Sequence, residues 1–215
     1  SLAGTEFAIS GAMPLPHELV VPFEATTGGY LVEGYGLSEC SPVLMANPVA
    51  DNRKPGTVGL PLPGTECRVV DPDEPTKDVP AGERGELVVR GPQVFSGYYG
   101  KPEETEAVFV DGWYRTGDIV TIDDDGFVRI VDRIKELIIT GGFNVAPTEV
   151  EIALRQHPQV DDAAVVGLPS TQSGEEVVAA IVLAPGVEQP DIEGIREFAR
   201  GILTPYKVPR RIFVV

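Results

Sequence analysis

The chain has 215 residues and a mass of 23.0 kDa, which at ~150 residues per domain fits one large or two small domains. Hydrophobic residues make up 42% and charged residues 23%, two cysteines rule out a disulfide scaffold, and no apolar run reaches the ~18 residues of a membrane span. Thirty-three acids against 17 bases give a net charge of −16, which repels a phosphate backbone, argues against general nucleic-acid binding, and leaves any bound anion to backbone N–H groups, metal ions or a few placed bases.

Phe7-Ala8-Ile9 predicts a short buried strand, and a helix is expected from Pro16 to about Ala25 with its proline in the first turn. Tyr30-Leu31-Val32 predicts a second strand running into the loop Gly34-Tyr35-Gly36-Leu37-Ser38-Glu39, and five prolines make 42–64 loop-like. From Cys67 onward the pattern turns to strands. Cys67 to Val70 and Glu86 to Arg90 alternate, and Trp113 to Ile122 and Phe127 to Val131 flank the hairpin signal Asp123-Asp124-Asp125-Gly126. Pro102 to Phe109 predicts one short helix within this region.

After about Asp132 the pattern changes. Strands are expected at Leu137–Ile139, Ala163–Gly167 and Val177–Leu183, with a helix at Pro147–Gln156. A second helix is expected over 191–203, where Ile192, Ile195, Phe198, Ala199 and Ile202 recur at helical spacing, and a last strand begins at Arg211. The fold class is α+β: a β-rich part over 1–131 with a barrel-like subdomain at about 65–131, a linker at 132–135, and a small α+β domain over 136–215 whose short sheet is flanked by helices. The chain opens and closes on strand patterns, which reads as a fragment of a longer protein.

Several groups could carry chemistry. Gly36-Leu37-Ser38-Glu39-Cys40 departs from the Gly-x-Ser-x-Gly nucleophile elbow, and His17 and His157 are the only histidines, which argues against a serine hydrolase. A hydroxyl beside a carboxylate after a glycine turn suits a phosphate oxygen together with Mg²⁺, although taken alone the loop is more often a turn with a capping serine. Asp123-Asp124-Asp125-Gly126 fails the calcium-loop spacing, because the twelfth residue is Ile134, and reads as a solvated hairpin turn. Asp118, at a glycine turn within a strand run, suits a ribose diol or a structural Asx turn. Arg133 and Lys135 fall at the linker, where a cleft is expected, and Gly141-Gly142 lets backbone approach a ligand or a neighbouring strand. Cys40 and Cys67 read as buried or incidental thiols.

The order of these signals is more specific than any one of them. Ser10-Gly11-Ala12-Met13-Pro14-Leu15 is followed by Tyr35-Gly36-Leu37-Ser38-Glu39, then by Gly85-Glu86-Leu87-Val88-Val89-Arg90-Gly91 with Gly97-Tyr98-Tyr99. Tyr114-Arg115-Thr116-Gly117-Asp118 comes next, and then the run from Asp132-Arg133-Ile134-Lys135-Glu136 through Gly141-Gly142-Phe143 to Glu151. This succession resembles the adenylate-forming superfamily over essentially the whole chain, and within it the AMP-forming acyl-CoA synthetases, most closely the fatty-acid–CoA ligases.

The resemblance implies two steps: a carboxylate and ATP give acyl-AMP and pyrophosphate, and CoA then displaces AMP. It implies ATP, Mg²⁺ and CoA as the cofactors and a fatty acid as the other substrate. Gly11, Ala12, Met13, Tyr35, Gly36, Ser38, Asp118, Ile130 and Arg133 would bind nucleotide, with Asp118 and Arg133 on the ribose. Ser38 and Glu39 would act at the phosphates, Glu39 as the metal ligand, and Lys135 would be the hinge of a swinging C-terminal domain. Gly141, Gly142 and Phe143 would line the CoA path.

The family's phosphate loop and its adenylation lysine are not in this sequence, so the fragment alone is expected to be inactive. A carrier-protein-loading enzyme, a luciferase-like enzyme and a non-catalytic nucleotide-binding module are the alternatives. The implied location is cytoplasmic, with no transmembrane segment and with room for peripheral membrane contact of the parent.

Overall fold

Parallel strands need a crossover, and the first helix supplies one. In the computed structural model, which describes residues 4–12, 15 and 17–215, strand β1 (Phe7–Ser10) lies parallel to β2 (Tyr30–Gly36) and helix α1 (His17–Thr27) connects them. Met13 and Pro16 lie outside the described residues. The helix outruns its expected end by two residues, to where the Gly28 N–H closes on the Glu24 carbonyl at 2.8 Å.

The strand expected at 30–32 continues to Gly36 because β3 (Val43–Ala46) pairs antiparallel with its second half, with a bulge between Tyr35 and Gly36. A short edge strand, β4 (Leu60–Pro61), pairs with β3. Residues 42–64 are therefore not all loop. Their prolines confine the strands to short pieces, and Pro61, which has no N–H to donate, sits on an edge strand.

The next sheet is built from β5 (Glu66–Val70), β6 (Gly85–Arg90), β7 (Phe109–Val110), β8 (Trp113–Ile122) and β9 (Val128–Arg133), in the order β5-β6-β8-β7 with β9 also on β8. No pairing joins β5 to β9 among the described residues, so the sheet is open where a barrel-like closure was expected. The helix expected at 102–109 is the six-residue α2 (Pro102–Ala107), after which the chain straightens into β7. Leu44, Met45, Leu87, Val89, Val120 and Val128 form the apolar core here.

The chain divides into two compact units, Ser1–Ile130 and Val131–Val215. The second contains β10 (Ile138–Thr140), β11 (Phe143–Val145), α3 (Pro147–Arg155), β12 (Val160–Ser170), β13 (Gly174–Leu183), α4 (Ile192–Ile202) and β14 (Arg211–Val214). The sheet order is β11-β10-β13-β12, and β14 runs parallel to β13. Val150, Ala153 and Leu154 of α3 and Ile195 and Ala199 of α4 are buried in one core with the sheet. The spacing on α4 holds for Ile195 and Ala199. Ile202, however, is exposed, and Leu203, just past the helix end, fills the core instead.

Candidate functional site

In the first unit, the Asp118 backbone is shaped by a bulge. Between the pairs Glu86↔Ile119 and Val88↔Arg115, β8 carries more residues than β6. Gly117 sits in the bulge at φ +74°, a conformation that suits glycine. Alternation along β6 would turn Glu86 away from the apolar face, yet Glu86 is 1% exposed. Its Oε2 accepts from Arg115 Nε at 2.9 Å and Nη2 at 2.5 Å, and its Oε1 accepts from the Gly117 N–H at 3.2 Å. Thr116 Oγ1 donates to the Leu87 carbonyl at 2.8 Å and accepts from the Asp118 N–H at 3.1 Å.

The bulge thus presents Asp118, which is 2% exposed, to Tyr35, whose hydroxyl donates to Asp118 Oδ2 at 2.5 Å. Burial, and then the charge of Asp118, push the Tyr35 hydroxyl far above the usual phenol range, so it remains a donor.

Glu39 occupies a 3-10 turn, Ser38–Cys40, closed by Cys40 N–H to the Leu37 carbonyl at 2.9 Å. Cys40 anchors the turn in the core, where burial and then Glu39 push its thiol up to about 11. Tyr98 donates to Glu39 Oε1 at 2.9 Å, and the Phe95 N–H donates to the Glu39 carbonyl at 2.7 Å. Ser38 is exposed on the same turn. Gly11 follows β1 beside this region: a side chain there would meet the Gly34 carbonyl oxygen at 3.3 Å. Ala12 has φ +67°. Ile130, on β9, packs partly against the core of this unit.

The acidic hairpin 123–126 is closed by a lysine. Asp123 Oδ1 accepts the N–H groups of Asp125 and Phe127, and Lys54 Nζ donates to Asp123 at 2.6 Å and Asp125 at 2.7 Å. No group of three or more His, Cys, Asp or Glu suited to a metal ion occurs among the described residues. Glu39 alone fits Mg²⁺ in one mode, a single carboxylate sharing the ion with substrate phosphates.

In the second unit, Asp132 is buried, with Oδ1 accepting from the Arg133 N–H at 2.7 Å and Oδ2 from the Thr148 N–H of α3 at 3.3 Å. Burial raises its carboxyl above 3.8, against the pull of those two N–H groups. Arg133 is exposed, and Lys135 is exposed on the 3-10 turn Ile134–Glu136.

Gly141 and Gly142, at φ +58° and +81°, turn the chain from β10 to β11 and set Phe143 opposite Thr140. The half-exposed Phe143 ring stacks on Tyr206, with centroids 4.5 Å apart and planes at 17°. A cavity of about 180 Å³ lies beside them, lined also by Thr140, Ser173 and Arg210. Lys207 Nζ reaches both Glu149 oxygens at 2.7 Å, tying the Pro205–Lys207 turn to α3. Gly141 to Phe143 stood out in the sequence, whereas Tyr206 and Arg210 did not, and Glu86 and Arg115 stood there only within motif runs, with no role of their own. A glutamate flanked by apolar residues in a strand was the available signal for Glu86.

The family model for AMP-binding enzymes matches residues 1–99, and that for the AMP-binding enzyme C-terminal domain matches 149–215. The chain is similar to a long-chain-fatty-acid–CoA ligase of Bacillus subtilis (strain 168), 47% identical over 97% of this chain and 37% of that protein. It is 44% identical to a ligase of the same name from Escherichia coli O6:H1, over 94% of this chain and 35% of that one. The chain therefore spans little more than a third of the length of these curated relatives. Among solved structures, ATP-bound MatB from Rhodopseudomonas palustris aligns with a TM-score of 0.88 and 39% identity, over 96% of this chain and 41% of that one.

Proposed function

The chain belongs to the AMP-binding enzyme family, and on that premise we propose that it is the C-terminal part of an AMP-forming ligase that joins a long-chain fatty acid to CoA. One observation carries the reading: the likeness to long-chain-fatty-acid–CoA ligases runs through 97% of the chain and across both units.

In the first step, the fatty carboxylate attacks the α-phosphorus of ATP and pyrophosphate leaves. Asp118 accepts the ribose hydroxyls, with its carboxylate already oriented by the Tyr35 hydroxyl and by the bulge that Glu86 braces. Arg133 supplies charge-assisted donation to the same sugar. Gly11, Ala12 and Gly36 offer backbone close to the base, and the Ser38 hydroxyl donates to a phosphate oxygen. Glu39 would hold Mg²⁺ jointly with the phosphates, where the ion would offset the charge gathering on pyrophosphate in a protein of net charge −16.

In the second step, the CoA thiol attacks the acyl carbon and AMP leaves. The exposed Phe143 ring, its Tyr206 partner and Arg210 around one cavity suit a ligand with a flat base and phosphates. Gly141 and Gly142 let the pantetheine arm pass close to backbone. Lys135, exposed at the turn after β9, serves as the hinge on which the second unit changes position between the steps.

ATP–pyrophosphate exchange by the full-length protein against acids of graded chain length tests this. Exchange rising with chain length supports the reading. Exchange driven by aryl or amino acids, with fatty acids inert, overturns it.

A further inference from the structure

Gly97-Tyr98-Tyr99 belongs to the ordered motif succession, yet neither half-reaction assigns it a role. Gly97 adopts φ +142°, and a Cβ there would sit 2.6 Å from Thr105 Cγ2. Any side chain would push the loop off α2. Thr105 Oγ1 accepts the Tyr98 N–H at 2.9 Å and donates to the Lys101 carbonyl at 2.8 Å. The backbone of Tyr98 is therefore fixed from one side by a helix.

Its ring is fixed from the other. Phe95 meets Tyr98 edge-on at 4.9 Å, stacks with Phe109 at 5.7 Å and meets Tyr114 edge-on at 5.4 Å. The neighbouring Tyr99, by contrast, is fully exposed. From this rigid mount the Tyr98 hydroxyl donates to Glu39 Oε1, and the Phe95 N–H of the same loop donates to the Glu39 carbonyl. Among the described residues Oε2 accepts no hydrogen bond.

We propose that Tyr98 is a positioning residue: its hydroxyl fixes one oxygen of Glu39 so that the other is presented to the divalent cation on the substrate phosphates. This rests on the reading of Glu39 as the Mg²⁺ carboxylate. A glutamate on a surface turn otherwise samples many rotamers, and holding one oxygen removes that entropy cost before the cation arrives.

Tyr98→Phe in the full-length protein keeps the ring and removes the hydroxyl. The Mg²⁺ concentration for half-maximal pyrophosphate exchange should rise about ten-fold, as expected for losing a hydrogen bond to a charged group, while the rate at saturating Mg²⁺ stays within about two-fold. Mn²⁺ affinity in the presence of ATP, read by water-proton relaxation, should weaken by the same factor without turnover. Gly97→Ala, which displaces the loop and leaves the hydroxyl, should shift both readouts in the same direction.

A Tyr98→Phe protein with unchanged Mg²⁺ and Mn²⁺ dependence overturns the proposal, whether or not its melting temperature falls. Glu39→Gln separates the two layers. If it loses Mn²⁺ affinity while Tyr98→Phe does not, the positioning role alone fails. If Glu39→Gln binds Mn²⁺ as tightly as the parent, the metal-ligand reading fails with it.

Discussion

Glu86 and Arg115 support the bulge that carries Asp118, and breaking the pair from either side should give unequal losses. Arg115→Met removes the partner of a carboxylate that is 1% exposed and, among the described residues, leaves it only the Gly117 N–H. Breaking a buried pair this way costs about 3–5 kcal/mol, and the lower end applies here because the Arg115 side chain is 26% exposed and the site can admit water. Glu86→Gln keeps the volume. Its single amide oxygen can serve the Arg115 fork or the Gly117 N–H but not both, so one donor loses its partner at a cost of about 1–3 kcal/mol. At about 2–4 °C per kcal/mol for a chain of this size, Arg115→Met should lower the melting temperature by about 6–12 °C and Glu86→Gln by about half that.

Trp113, the single tryptophan, lies on β8 beside the pair, so its fluorescence follows the first unit specifically. The double variant Glu86→Met, Arg115→Met should lose less than Arg115→Met alone, because no buried charge is left unpaired. Additive losses, or shifts below about 1 °C for both single variants, would refute this account of the bulge.

Other expectations follow from the same geometry. In the full-length protein, Asp118→Ala should cost roughly ten- to hundred-fold in ATP-dependent kcat/KM of adenylation, since each hydrogen bond to a charged group contributes about 1.5–3 kcal/mol. Pyrophosphate exchange measures it, and an unchanged rate would remove Asp118 from the ribose. Lys135→Pro fixes φ at the hinge and should slow thioester formation from preformed acyl-AMP while leaving pyrophosphate exchange largely intact. Equal slowing of both half-reactions would contradict the hinge role. Asp132 holds its proton more tightly folded than unfolded. Its contribution to stability is therefore whole below about pH 3.8 and is lost as pH rises through the higher folded value. Asp132→Asn should flatten that part of the profile in thermal melts from pH 3 to 7, and parallel curves for the two proteins would show that Asp132 does not titrate in this window.

Local pattern carried the long elements. Alternation and hairpin chemistry foretold β5, β6, β8 and β9, helical spacing foretold α4, and α3 was expected at Pro147–Gln156, because each depends mainly on residues close in sequence. The short strands β3, β4, β7 and β11 were not legible. Two to four residues carry no period, and such strands exist only because a distant partner offers its edge.

The site divides in the same way. Tyr35, Glu39 and Asp118 stood out by their motifs, but the bond between Tyr35 and Asp118 spans 83 positions and that between Glu39 and Tyr98 spans 59. Lys54 reaches the acidic hairpin across 69 positions, so the turn's counter-ion had no local signature. The role of Glu86 was hidden for a physical reason: alternation predicts which face a residue takes, while an ion-pair partner such as the partly exposed Arg115 lets a buried charge violate it.

The most direct test of the central claim is product analysis of the full-length protein incubated with a long-chain fatty acid, ATP and CoA. Mass spectrometry should find acyl-CoA, AMP and pyrophosphate in equal amounts, with acyl-AMP accumulating when CoA is withheld. Formation of ADP and phosphate, or acyl-AMP that CoA fails to consume, would contradict it.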